Sequence, residues 1–168
     1  PCLDDYICKR IIIRGPVKSG KREMAEYMAM RDNAHNQLRV HAFISAWHRV
    51  ADEPQRDELL QHHMEVFSIT TAKKVAVCRE WILKQVGEGK QVVLHLDECD
   101  HGSGNKQLFS RVWNDVRDND SITNILYSAT PEEVLYSDEV EDQGHQEMAQ
   151  YMIQEGCTIN YTPPEGYC

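Results

Sequence analysis

The stretch Gly15-Pro16-Val17-Lys18-Ser19-Gly20-Lys21-Arg22 constrains this chain more than any other. It follows Ile11-Ile12-Ile13, a β-branched run that reads as a buried strand over residues 10–14. It leads into Glu23 to Arg31, a segment of strong helix formers. A strand, a tight glycine-containing loop and a helix N-terminus together form a phosphate cradle. Backbone N–H groups point at the anion, the helix dipole favours it, and Lys21 adds a full charge. The pattern G-x-x-x-x-G-K-[ST] is met at every position but the last, where Arg22 stands in place of a Mg²⁺-binding hydroxyl. A glycine-rich turn with surface lysines is the plainer reading, and the strand before it and the helix after it weigh against that. Within the loop, Lys18 is expected in solvent rather than on a ligand.

The rest of the chain alternates between strand and helix signals. The first helix carries Met24, Ala25, Met28 and Ala29 at core-facing spacing, and Asp32-Asn33 breaks it. Val40 to Ile44 reads as a second strand, and Glu53-Pro54 starts a polar helix running to about Met64. Ser68 to Thr71 offers a cap for a helix over 71–86, in which Val75, Cys78, Ile82 and Val86 share a face. Gly87-Glu88-Gly89 ends that helix. Gln91 to Leu96 is a third strand, apolar enough to be buried on both faces, with Asp97-Glu98 at its carboxyl end. A helix carrying Leu108, Val112 and Val116 follows, and then a fourth strand over Ile122 to Tyr127, closed by Ser128-Ala129-Thr130-Pro131. A helix at about 144–155 and a short strand at Cys157 to Tyr161 complete the series. Alternation of this kind implies an α/β fold with a mainly parallel central sheet and helices on both faces. Ligands bind such sheets at the carboxyl ends of the strands, so Gly15, Asp97 and Ser128 should share one edge.

Composition narrows the function classes. A net charge of −9 gives no global attraction for nucleic acid, so any such site is local or on another part of the protein. No apolar run approaches the ~20 residues of a membrane span, so no membrane partner is expected. The six cysteines are scattered without a C-x-x-C pair, which points to reduced thiols and a cytoplasmic or nuclear setting. None of the histidines has metal-ligand spacing. His62-His63 reads as solvated, and His95 as a packed or hydrogen-bonded strand residue. Lys106, Arg111 and Arg117 read as a solvated helix face before a basic edge, and the acidic run at 138–142 as surface.

Two further motifs join the loop. Asp97 at a strand end can hold Mg²⁺ through water, and Glu98 beside it can orient or deprotonate an attacking water. Ser128-Ala129-Thr130 could cap a helix beginning at Pro131 whether or not it has another role. Together the three motifs resemble the first RecA-like domain of superfamily 2 (DExD/H-box) helicases, a P-loop NTPase fold. Asp97-Glu98-Cys99-Asp100 matches the D-E-x-D box, and Ser128-Ala129-Thr130 is similar to the S-A-T motif. The order and spacing cover residues 10–131, and Val40 to Trp47 falls where a nucleic-acid-contacting motif follows the second strand.

The resemblance implies an ATP-binding and ATP-hydrolysing domain at residues 1–162 of a nucleic-acid translocase, with ATP and Mg²⁺ at the loop formed by residues 15–22. Lys21 would bind phosphate, Asp97 would organise Mg²⁺, and Glu98 would position water. Ser128, Ala129 and Thr130 would couple the nucleotide state to DNA or RNA; His101, after the acidic box, reads either as a mobile loop residue or as a contact to the γ-phosphate or the Ser128 and Thr130 hydroxyls. Residues 163–168, beginning Pro163-Pro164, read as the start of a linker to a second RecA-like domain beyond Cys168 that would supply an arginine finger. Three features depart from the pattern: Arg22, the glycine-rich segment Asp100 to Gly104, and the lack of an adenine-reading glutamine motif before Ile11. They keep open a degenerate nucleotide-binding or scaffold module with little hydrolysis, in which Arg22 replaces the metal, and another P-loop ATPase such as a restriction or packaging subunit.

Overall fold

The computed structural model describes residues 9–16, 20–36, 38–45, 53–61, 63–69, 71–97, 119–128 and 157–160. In chain order these form β1 (Arg10–Arg14), α1 (Lys21–His35), β2 (Arg39–Ser45), α2 (Glu53–Gln61) and β3 (Met64–Ser68). They continue with α3 (Ala72–Gly87), β4 (Gln91–Asp97), β5 (Ile122–Ser128) and β6 (Cys157–Asn160). The six strands make one sheet in the order β3-β2-β4-β5-β1-β6, and every pairing is parallel. The chain is therefore α/β, with an architecture consistent with a RecA-like fold.

The period-two alternation of the strands sends side chains to two separate cores. On one face Ile12, Ala42, Ile44, Val92, Leu94, Leu96, Ile122 and Leu126 pack with Val75, Cys78 and Ile82 of α3. On the other, Ile11, Ile13, Phe43, Val93, Ile125 and Tyr127 pack under Ala25, Met28 and Ala29 of α1 and Leu59 of α2. Helices thus cover both faces, as strands apolar on both sides require. Burial pushes the Cys78 thiol up to about 12, so it packs as a small apolar group.

Thr71 caps α3: its hydroxyl accepts from the Lys74 backbone N–H at 3.3 Å. At the other end the turn closes through Gly89, whose φ of 78° lies in the left-handed region that glycine enters without steric cost.

Three local expectations are corrected. The first helix does not break at Asp32-Asn33 but runs on to His35, because Asp32 is buried and bonded to neighbouring elements. The second helix ends at Gln61, and His63 occupies a turn with φ 62°. Met64 then opens a strand instead of finishing that helix. This strand, β3, pairs only with β2 among the described strands. The expected helices, one carrying Leu108, Val112 and Val116 and one at about 144–155, lie outside the described residues.

The two-core arrangement sets the stability of α3. Ile82→Ala should lower unfolding free energy by about 2–5 kcal/mol in urea denaturation, since its side chain is fully buried. Leu83→Ala, one position along and 47% exposed, should change it by about 0.5 kcal/mol or less.

Candidate functional site

Parallel pairing places every strand's carboxyl end on the same edge of the sheet. Arg14 at the end of β1 is opposite Ser128 of β5, and Tyr127 of β5 is opposite Asp97 of β4. Ser45 of β2 stands opposite Asp97 on the other side. Gly15 directly follows β1, so Gly15, Asp97 and Ser128 lie at one edge of the sheet, with Ser128 between the other two. Strand β5 separates β1 from β4, which puts the loop and the acidic residue two strand spacings apart, roughly 10 Å.

The loop returns into α1 at Gly20. Gly20 is buried and serves as N-cap with φ 84°, ψ 24°, a left-handed conformation that disfavours any residue with a Cβ. It supplies no side-chain cap, so the first-turn N–H groups of α1 receive nothing from the capping position. Lys21 is the first helical residue. A left-handed glycine followed by a helix start bearing lysine suits an anion, and Asp97, half-buried at the β4 end, suits a hydrated cation beside it.

Arg22 does not stand free at this edge. Its guanidinium lies 3.2 Å from Glu26 one turn along α1 and donates to Glu58 of α2 at 3.2 Å. Its positive charge is thereby matched within the protein. Of the other expected site residues, Pro16 follows Gly15 at the surface, while Val17, Lys18, Ser19, Glu98, His101, Ala129 and Thr130 lie outside the described residues.

Beneath α1 the structure holds a polar chain that the sequence did not announce. Asp32 Oδ2 is 2.8 Å from His41 Nε2, His41 Nδ1 is 2.8 Å from His95 Nε2, and His95 Nδ1 is 2.7 Å from the Tyr127 hydroxyl. All four residues are buried, His95 completely. The two imidazole centroids are 5.1 Å apart with planes 19° from parallel, the spacing of rings joined edge to edge in nearly one plane.

The proton positions follow from the ends of the chain. Arg31 and Arg39 approach Asp32 Oδ1 at 3.3 and 3.4 Å and favour the ionised carboxylate, which can only accept. His41 therefore donates from Nε2 and, as a neutral ring, accepts at Nδ1 from His95 Nε2–H. His95 in turn accepts at Nδ1 from the Tyr127 O–H. Every donor and acceptor within the three contacts is used once, and all donation runs toward Asp32. Burial is the first cause that lowers His41 below its ordinary 6.5; Arg39 and Arg31 add to it, while Asp32 pulls the other way. Burial, with His41 beside it, holds His95 well below 6.5, so both rings are neutral as the geometry requires.

His95 is thus the hydrogen-bonded strand residue expected of it. What sequence reasoning missed was Asp32, His41 and Tyr127 as its partners. The available signal was a histidine at the centre of each of two apolar strands, where a polar ring must find a partner.

Among the described residues no group of three or more acidic, histidine or cysteine side chains could hold a metal ion. No helix among them is long and apolar enough to cross a membrane. No protein-family model matches the chain, and a search of curated proteins finds no significant match.

The neutral histidines have a consequence for pH. Their native-state values are depressed, so the unfolded chain takes up protons first as pH falls. Stability is complete above about pH 6.5 and should decline below it, by up to about 1.4 kcal/mol per pH unit for each histidine. Denaturant titrations between pH 7.5 and 5 should show this slope. His41→Gln, whose amide can donate to Asp32 and accept from His95, should reduce it. A slope unchanged in that variant would show that His41 is not its source.

Proposed function

We propose that this chain is the ATP-binding and ATP-hydrolysing domain of a helicase-like nucleic-acid translocase. The supporting observation is the shared edge: a left-handed Gly20 opening a helix at Lys21, the end of β5 beside β1, and Asp97 at the end of the next strand. In this reading the first-turn N–H groups of α1 and Lys21 bind the β- and γ-phosphates. Asp97 would hold Mg²⁺ through water, and Glu98 would orient the attacking water. Bound there, the metal would neutralise charge on the phosphates. Ser128, Ala129 and Thr130 would report the nucleotide state to DNA or RNA bound elsewhere on the complete protein, and His101 would contact the γ-phosphate or the hydroxyls of Ser128 and Thr130. An arginine finger from a second RecA-like domain completes the charge around the transferred phosphoryl group.

The alternative is a nucleotide-binding module without effective hydrolysis, and Arg22 is the observation that favours it. An arginine has no lone pair to offer Mg²⁺, so metal would be held from fewer sides. The Asp97-Glu98 pair favours the hydrolytic reading, because a module that only binds nucleotide has no use for both.

Mg²⁺ dependence separates the two. ATP binding measured by calorimetry should weaken on adding EDTA, and Lys21→Ala should weaken it by roughly tenfold or more. Phosphate release by residues 1–168 should be slow, and release by a longer protein carrying the second domain should rise with DNA or RNA. Binding indifferent to EDTA, with no phosphate released by that longer protein in the presence of nucleic acid, would leave only the non-hydrolytic module. Rapid turnover by residues 1–168 alone, lost in Lys21→Ala, would remove the need for a finger in trans.

A further inference from the structure

The chain of Asp32, His41, His95 and Tyr127 lies on the face of the sheet that α1 covers, and it is not level. His41 of β2 stands opposite Val93 of β4, and His95 is two residues further along that strand. His95 stands opposite Ile125 of β5, and Tyr127 is again two residues further. Each step therefore crosses to the next strand and climbs about 6.6 Å toward the carboxyl edge. The chain starts at Asp32 in the last turns of α1 and finishes at Tyr127, level with Asp97 and one residue before Ser128.

Apolar side chains at the same positions would fill this face without the desolvation that four buried polar groups incur. What hydrogen bonds add is directional constraint. Apolar contacts tolerate sliding along the strand axis, whereas N–H···N and O–H···N bonds near 2.8 Å do not. The ionic end at Asp32 is anchored by Arg31 from α1 and Arg39 from β2. The same helix begins at Gly20-Lys21, so one rigid rod connects the candidate phosphate loop to the start of the chain.

We infer that His95 and Tyr127 are positioning residues for the nucleotide site: the hydrogen-bonded chain from Asp32 to Tyr127 fixes the height of Asp97 and Ser128 at the sheet edge relative to helix α1. The inference rests on the proposed ATP site, since it is for phosphoryl transfer that this height matters. Phosphate binding by the loop and the α1 N-terminus does not need a fixed height for the ends of β4 and β5, since Asp97 would reach Mg²⁺ through water. Chemistry does, because the metal and the attacking water that these carboxylates would hold must meet the γ-phosphate, and a misplacement of about 1 Å can cost up to 10²-fold in rate. The chain's residues should therefore act on kcat much more than on KM.

The test uses the longest form of the protein that hydrolyses ATP, with Mg·ATP as substrate. Tyr127→Phe removes only the hydroxyl and should lower kcat about tenfold, with KM within about twofold of wild type. His95→Gln can still donate to His41 and accept from Tyr127, so it should keep most of the activity. His95→Leu can do neither and should match or exceed the loss in Tyr127→Phe. A role confined to stability would lower the melting temperature of these variants while leaving kcat unchanged well below it, and that result would overturn the inference. Lys21→Ala in the wild-type background guards the premise. If that variant turns over ATP as wild type does, the proposed site is wrong, and amide hydrogen exchange then decides the positioning claim. Faster exchange in Tyr127→Phe at both the β4–β5 carboxyl edge and the hydrogen-bonded amides of α1 that begin with Met24 supports it, and exchange unchanged at either place overturns it.

Discussion

Strand β4 has neighbours on both sides, helices over both faces, and five successive buried residues from Val92 to Leu96. Nothing in that buried run can reach water, so each of its polar groups needs a partner supplied by the fold. The backbone groups find theirs in the ladders to β2 and β5. The one polar side chain in the run, His95, has to be answered by another strand or helix. Asp32, His41 and Tyr127 answer it, and in doing so they tie α1, β2, β4 and β5 together at one place. The hydrophobic cores hold the layers in contact, and this chain fixes where along the strand axis they meet.

The same strand connects the buried interior to the edge where chemistry is proposed. Alternation sends Val93 and His95 to the α1 face and Leu94 and Leu96 to the α3 face, and then delivers Asp97 to the end of the sheet. The parallel arrangement places the end of β1 and the end of β5 beside it without any further device. A left-handed Gly20 then turns the loop into α1, whose first turn faces that edge and whose last turns grip the interior chain through Asp32. The helix is thus attached at two heights.

How far this was legible in the amino-acid order depended on whether a feature is local. Ile11-Ile12-Ile13, Val92 to Leu96 and Ile122 to Tyr127 announce strands because β-branched and apolar runs ended by turn residues have few other uses. The α3 face was readable from Val75, Cys78 and Ile82, and all three are buried. The strand β3 was missed because Met64-Glu65-Val66-Phe67-Ser68 is short and directly follows a polar helical pattern. The extension of α1 past Asp32 was missed for a different reason. Asp-Asn has poor intrinsic helix propensity, and a tertiary partner, His41, overrides it. His41 and His95 could each be recognised as a polar ring in an apolar strand. That they meet depends on a register of two strands 54 residues apart, which no local pattern contains.

Arg22 belongs with these non-local features. Read along the chain, it is a single departure in a phosphate-binding pattern. In the fold it faces Glu26, which is 7% exposed, and Glu58 on a different helix. A short hydroxyl at this position would carry no charge, and Glu26 would then have one fewer positive partner. The arginine, Glu26 and Glu58 therefore form one unit that couples α1 to α2. Position 22 cannot be judged by metal binding alone, because the same side chain that withholds a ligand from Mg²⁺ balances a nearly buried acid and joins two helices. If the site hydrolyses ATP, Asp97 and its bound waters must carry the metal with less help from the loop. The placement of the β4 end, which the buried histidine chain governs, then matters correspondingly more.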